Sequence, residues 1–253
     1  MTDLKNRIVF ITGASSGIGE ATARKFAELD CKLLLAARRK DRLEKLAKNL
    51  SVDTHLLELD VRDQKAVQQA VDSLPNDRQA IDVLVNNAGL SRGLDKLHEG
   101  KLLDWEEMID TNVKGLLYVS RAVIPGMVAR GRGHIINIGS IAGHEVYPGG
   151  NVYCATKHAV AALSKGMRID LVDTPLRVTT IDPGLVETEF SIVRFRGDTD
   201  RAQKVYRGYQ PLTGDDIADV IVWAATRPLH VQIADIIIFP TAQAGSRDVH
   251  KQS

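Results

Sequence analysis

The chain has 253 residues, a formal net charge of +1, 44% hydrophobic and 26% charged residues, and two cysteines. A chain this long can bury a core without disulfides or metals, and near-neutrality excludes modes of nucleic-acid or anionic-membrane binding that need a concentrated basic surface. Cys31 and Cys154 form no CxxC pair, the histidines have no metal-type spacing, no apolar run approaches the ~18 residues of a membrane span, and the N-terminal MTDLKNRIVFITG lacks an apolar leader core. No metal is expected, and a cytoplasmic setting is.

Apolar runs at 8–11, 33–37, 56–59, 81–85, 135–138, 178–181 and 236–239 are continuous rather than alternating, as strands covered on both faces are. Helix-period segments alternate with them at 18–29, 40–49, 64–74, 105–130, 152–172 and 215–226. This alternation predicts an α/β fold with a parallel, doubly wound sheet and helices on both faces, spanning the chain as one domain. The stretch 183–211 interrupts the pattern. It is polar, rich in arginine and aromatic residues, and its 185–211 portion reads as an irregular lid.

The first strand runs into Thr12-Gly13-Ala14-Ser15-Ser16-Gly17-Ile18-Gly19. Gly13 suits a tight turn, Gly17 a close approach to a pyrophosphate, and Gly19 close packing of the following helix, whose N-terminus favours a phosphate. The bland alternative is a simple strand–helix turn. The second strand ends Ala36-Ala37-Arg38-Arg39, where an NAD enzyme would carry an acidic residue for the ribose 2′-hydroxyl. Arginines there favour the 2′-phosphate of NADP, unless they are simply solvated charges at a helix start. The third strand ends Asp60-Val61, and Asp60 either meets the adenine amino group or caps the next helix. The fourth ends Asn86-Asn87-Ala88-Gly89, small enough for a cofactor to lie against the backbone.

Tyr153 and Lys157 lie four positions apart on one helix face, so the ammonium is expected to lower the phenol pKa. Ser140 follows the fifth strand at the sheet edge where ligands bind, positioned to polarise a carbonyl. Taken alone, a Tyr-x-x-x-Lys pair is commonplace on helix surfaces. Its weight here comes from the company it keeps.

Together Thr12-Gly13, Gly17, Gly19, Asn86-Asn87-Ala88-Gly89, Asn112, Ser140, Tyr153, Lys157 and Pro183-Gly184 resemble, in order and over nearly the whole chain, the short-chain dehydrogenase/reductase family. The resemblance implies a Rossmann-type sheet of seven parallel strands and an NADP-dependent oxidoreductase acting on a CH–OH group. Tyr153 would be the acid/base, Lys157 would hold the nicotinamide ribose, Ser140 would orient substrate, and Asn112 would hold a relay water. The cofactor would meet Gly13, Ser15, Ser16, Gly17, Ile18, Gly19, Arg38, Arg39, Asp60, Val61, Asn87, Ala88, Gly89, Tyr153, Lys157, Pro183, Gly184, Val186 and Thr188, with Thr188 on the carboxamide or phosphate. The helices at 105–130 and 152–172 resemble those through which the family builds dimers and tetramers.

The runs Pro183-Gly184-Leu185-Val186-Glu187-Thr188-Glu189-Phe190-Ser191, Arg194-Phe195-Arg196-Gly197-Asp198 and Phe239-Pro240-Thr241-Ala242-Gln243 are similar to the NADP-dependent 3-hydroxy acid dehydrogenases, which include enzymes of serine and allo-threonine. That implies an acidic substrate of the 3-hydroxypropionate class. Its carboxylate would be held by Arg194 or Arg196, with Arg207 also available, unless these arginines are solvated or pair with Asp198 and Asp200. A general carbonyl or sulfonate-aldehyde reductase is the competing enzyme reading, and an NADP-sensing binding protein is the competing reading of another class. The intact Asn112, Ser140, Tyr153 and Lys157 set argues against the sensor. Cys154 and Trp105 read as packing, and His144 as a loop histidine near the substrate side.

Overall fold

The computed structural model describes residues 2–252. Seven strands form one parallel sheet in the order β3-β2-β1-β4-β5-β6-β7: β1 Ile8–Thr12, β2 Lys32–Ala37, β3 Thr54–Glu58, β4 Ile81–Asn86, β5 His134–Ile138, β6 Arg177–Pro183 and β7 Asp235–Ile238. Every residue of β1, β4, β5 and β6 is buried, because helices cover both faces of those strands. Strand order reverses between β1 and β4, and in open parallel sheets this switch point is where a ligand crevice opens at the carboxyl ends.

Helices α1 Gly17–Ala27, α2 Lys40–Lys48 and α9 Gly214–Ala225 cover one face through Phe26, Leu43, Ile217 and Ile221. Helices α3 Gln64–Asp72, α5 Leu116–Arg130 and α6 Asn151–Asp170 cover the other through Val67, Val119, Val123, Met127 and Met167. The expected helix over 105–130 is in fact α4 Leu102–Ile109, a π turn Asp110–Gly115 and α5. The wider turn accommodates an extra residue, and such turns gather at functional sites. It carries Thr111 and Asn112 into the interior.

The lid departs from the irregular loop expected of it. Two short helices, α7 Phe190–Arg194 and α8 Thr199–Val205, fold within it, joined through a reversal at Arg196 (φ +53°) and Gly197 (φ +95°). Main-chain bonds between Leu185 and Leu212, and between Glu187 and Leu212, close the base of the lid.

A buried polar ladder ties the strands at the site to their covering helices. Asn86 on β4 stands opposite Asn137 on β5; its amide donates to Asn137 Oδ1 (2.9 Å) and Ser120 Oγ (3.0 Å), and the Asn137 amide donates to Ser164 Oγ (2.9 Å). Truncating the middle member removes two buried hydrogen bonds at once and leaves one Asn86 amide N–H without its partner, which is more costly than losing one hydrogen bond. Asn137→Ala is expected to destabilise the protein by about 2–4 kcal/mol in urea denaturation, whereas Asn49→Ala, at an exposed helix end, shifts stability by less than about 0.5 kcal/mol.

Candidate active site and cofactor groove

A single groove runs along the carboxyl edge of the sheet from the loop after β2 to the lid. Gly13, Ser15, Ser16, Gly17, Ile18, Arg38, Arg39, Asp60, Val61, Asn87, Ala88, Gly89, Ser140, Tyr153, Lys157, Pro183, Gly184, Val186, Thr188 and Arg194 line it. Of the residues singled out from sequence, Gly19, Asn112, Arg196 and Arg207 are among those that do not, as are Thr12, Asn86 and His144. Gly19 instead packs under the loop, where a Cβ would stand 2.5 Å from the Gly13 carbonyl oxygen.

The groove floor fits a dinucleotide phosphate. Gly13 has φ +66°, and a Cβ there would stand 2.9 Å from Ala88 Cα, so the β1 turn and the end of β4 meet with no room for a side chain. The Asn87 amide fastens the two by donating to the carbonyls of Thr12 (2.9 Å) and Gly13 (3.2 Å). The first turn of α1 opens beside this cradle with no side-chain cap on its N–H groups, the arrangement that attracts phosphate.

At the end of the groove beside β2 the two arginines differ. Arg38 is exposed and forms no ion pair among the described residues. Arg39 donates to Ser15 Oγ (3.1 Å) and Ser16 Oγ (2.8 Å) and pairs with Glu189 on the lid (3.0 Å). Arg42 on α2 pairs with the other oxygen of Glu189. Burial pushes the Glu189 carboxyl up, but bonds from Arg42 and Arg39 prevail and hold it below the usual carboxylate range. Arg42 and Glu189 were not singled out from sequence; 147 positions separate them and only the tertiary fold brings them together. Asp60 is not the helix cap. That place belongs to Asp63, which accepts from the N–H groups of Lys65 and Ala66, while Asp60 accepts from the Arg62 guanidinium at 2.6–3.0 Å.

At the other end Tyr153 and Lys157 are each 7% exposed. Lys157 Nζ donates to the Ile138 carbonyl at the end of β5 (2.9 Å) and stands 5.9 Å from the Tyr153 ring centre. The expectation that Lys157 acidifies the phenol is not what the protein's own groups produce. Burial, and then Tyr147, push the Tyr153 pKa up; the Arg194 guanidinium and the Ser140 hydroxyl oppose them without prevailing. Burial also pulls the Lys157 pKa down to about 8. The physical reason is shared: both groups are withdrawn from water, which disfavours phenolate and ammonium alike.

Ser140 heads a short turn after β5, its Oγ accepting from the Ala142 N–H (3.1 Å). Asn112 uses its whole amide as a bracket, accepting from Leu90 N–H (2.8 Å) and donating to Leu90 O (2.8 Å) and Thr156 Oγ1 (3.1 Å). Thr188 Oγ1 accepts from Phe190 N–H (3.2 Å) at the start of α7.

The lid arginines separate cleanly. Arg194 enters the groove, with its guanidinium carbon 5.3 Å from the Tyr153 ring centre and 5.0 Å from that of Phe190; one nitrogen donates to Tyr147 Oη (3.0 Å), and its Nε is buried without a partner. Arg196 lies on the outer side, paired with Asp104 of α4, and Arg207 is exposed. The carboxylate-holding role expected for Arg196 is therefore corrected, and its partner is neither Asp198 nor Asp200. Cys154 is buried, and burial pushes its thiol up, in keeping with packing. Phe190 and Tyr206, which also line the groove, carried no separate signal in the sequence beyond lying in the lid.

These features define an NADP-dependent oxidoreductase acting on CH–OH groups, and the family model for short chain dehydrogenases matches residues 7–198: the chain belongs to that family. It is 46% identical over 257 residues to an NADP-dependent 3-hydroxy acid dehydrogenase of Schizosaccharomyces pombe, covering 100% of this chain and 99% of that one. It is 50% identical over 238 residues to the NADP-dependent 3-hydroxy acid dehydrogenase YdfG of Salmonella typhi, covering 94% and 96%. Among solved structures, the closed form of serine dehydrogenase complexed with NADP+ superposes with a TM-score of 0.93 at 46% identity, covering 97% of this chain and 100% of that one.

The depressed Lys157 makes a stability prediction. Its ammonium is disfavoured in the fold relative to the unfolded chain, so the group lowers stability below about pH 8, and the penalty fades as pH rises from about 8 towards 10.5. Lys157→Met is expected to be more stable than wild type at pH 7 by on the order of 1–2 kcal/mol, a gap that narrows by pH 10. Urea denaturation at the two pH values measures it.

Proposed function

We propose that the protein moves a hydride between NADP(H) and a small 3-hydroxy acid, or the matching semialdehyde or keto acid, with serine, allo-threonine and 3-hydroxypropionate as the substrate class. The observation that carries this reading is Arg194: a guanidinium that lines the groove beside Tyr153 and Phe190, steadied by Tyr147 Oη. A planar fork next to the reacting hydroxyl suits a carboxylate one carbon away from the reacting carbon. The relatives named as 3-hydroxy acid dehydrogenases support it.

The cofactor supplies the hydride chemistry when bound. Gly13, Ser15, Ser16 and Gly17, with Ile18 behind them, would hold the pyrophosphate, Arg38 and Arg39 the 2′-phosphate, Asp60 and Val61 the adenine, and Asn87 to Gly89 with Pro183, Gly184, Val186 and Thr188 the nicotinamide half. Tyr153, kept protonated by burial, is ready to give a proton to a carbonyl oxygen. Ser140 orients that oxygen, and Lys157 holds the ribose. The Asn112 amide is committed to Leu90 and Thr156, so a relay water would have to use its main-chain carbonyl. Phe190 and Tyr206 form part of the lid side of the site.

Exposed apolar side chains at Leu117 and Val128 of α5 and Ile169 of α6 support homo-oligomer formation through these helices. Among the described residues no helix is long and apolar enough to cross a membrane.

Tyr153→Phe is expected to lower turnover by about 10²- to 10⁴-fold while leaving the Kd for NADPH within about threefold, measured by stopped-flow turnover and fluorescence titration. Unchanged turnover would refute the acid/base assignment. Arg194→Leu is expected to raise KM for serine and 3-hydroxybutyrate by roughly ten- to hundredfold and to leave KM for an uncharged ketone unaltered. A panel of 3-hydroxy acids, sulfonate aldehydes and neutral ketones reads this out, and sole activity on the last two groups overturns the carboxylate reading.

A further inference from the structure

One buried acid next to the reacting groups has no part in the chemistry above. Asp182, near the end of β6, is 1% exposed. Its Oδ1 accepts the Ser140 main-chain N–H (2.9 Å), and its Oδ2 lies 2.9 Å from Nε2 of His144, in the loop after β5. Gly139 makes the first contact possible: a Cβ there would stand 1.8 Å from Asp182 Oδ1. A carboxylate this deep is tolerated only when donors and cations surround it.

We propose that Asp182 and His144 are positioning residues for Ser140: the Asp182 carboxylate fixes the serine turn against Tyr153, and His144 holds that carboxylate from the solvent side. The inference rests on the reading of Ser140 and Tyr153 given above. The Ser140 Oγ is itself tied back to the Ala142 N–H, so moving the Ser140 main chain moves its hydroxyl. The titratable groups that face Asp182 are His144 and, from α6, Lys157; outside them lies Glu145, whose carboxyl the His144 charge helps to lower. Burial pushes the Asp182 carboxyl up, while the hydrogen bond and charge of His144, then the Ser140 N–H and Lys157, pull it down. Among the groups that oppose burial, His144 acts most strongly on the acid. Without it the carboxyl takes up a proton at higher pH, Ser140 loses its charged anchor, and Lys157 loses a counter-charge. The ionised acid is the working form, so the acid limb of the pH profile moves upward when His144 is removed.

The experiment is the pH dependence of kcat and kcat/KM for wild type, His144→Ala, His144→Gln and Asp182→Asn with a 3-hydroxy acid that the wild type oxidises. His144→Ala is expected to shift the acid limb up by about one pH unit, roughly a tenfold loss on the acid side, with unchanged NADPH affinity. His144→Gln, whose amide N–H can still donate to Asp182, is expected to bring the limb back towards its wild-type position. Asp182→Asn is expected to lower kcat at every pH. A superimposable limb in His144→Ala, or a uniform loss with no shift, would sink the proposal, as would wild-type kcat in Asp182→Asn. Carbon-13 titration of the Asp182 carboxyl in wild type and His144→Ala reads the same upward shift without turnover, and identical titration curves would overturn the proposal. If the wild type oxidises no 3-hydroxy acid, the substrate reading fails while this titration still decides the couple.

Discussion

The site depends on removing ionisable groups from water at the carboxyl edge of a parallel sheet. Tyr153, Lys157 and Asp182 are all nearly inaccessible, and each has its pKa displaced towards the neutral form, with burial the leading cause. Three such groups in one wall constrain one another. A cation supports a carboxylate, and a phenol remains a phenol until further positive charge is brought to it. The sheet makes this possible because its strand ends present main-chain carbonyls and N–H groups, such as Ile138 O and Ser140 N, as fixed partners for side chains that water can no longer solvate.

The same reasoning links catalytic capacity to stability. Holding Lys157 in the interior disfavours its charged form, and orphaned atoms such as the Arg194 Nε add to the strain of the site. Enzymes commonly retain such unfavourable groups where chemistry requires them, and offset them with a well-packed core elsewhere. Here the two apolar layers on either face of the sheet, around Phe26 and Met127, supply that offset.

Much of the architecture was legible in the sequence because strands covered on both faces are written as continuous apolar runs, and the partly exposed edge strands β3 and β7 also carry short apolar runs. The groove residues were legible because motifs sit at strand ends, where a parallel sheet must place them. What failed was whatever depends on the chain's path rather than its pattern. Arg194 and Arg196 are two positions apart, yet the left-handed backbone at Arg196 and Gly197 sends one inward and the other out to Asp104. No periodicity marks such a reversal. The π turn that divides the expected long helix likewise follows from local main-chain geometry. The upward direction of the Tyr153 pKa was not legible for a different reason: helical spacing shows that two side chains share a face but says nothing of how little water reaches them. Contacts such as His144 with Asp182 and Glu189 with Arg39 join residues 38 and 150 positions apart, and only the assembled sheet brings them together.

The double ion pair of Glu189 has a mechanical consequence. Its carboxylate sits at the root of α7, the helix that carries Phe190 and Arg194, and it is gripped by guanidinium groups at the far, β2 side of the groove. The two ends of the groove are therefore linked like the ends of a lever. Any outward displacement of α7 would strain both ion pairs at the β2 side of the groove, so the root of the lid is anchored to the loop after β2.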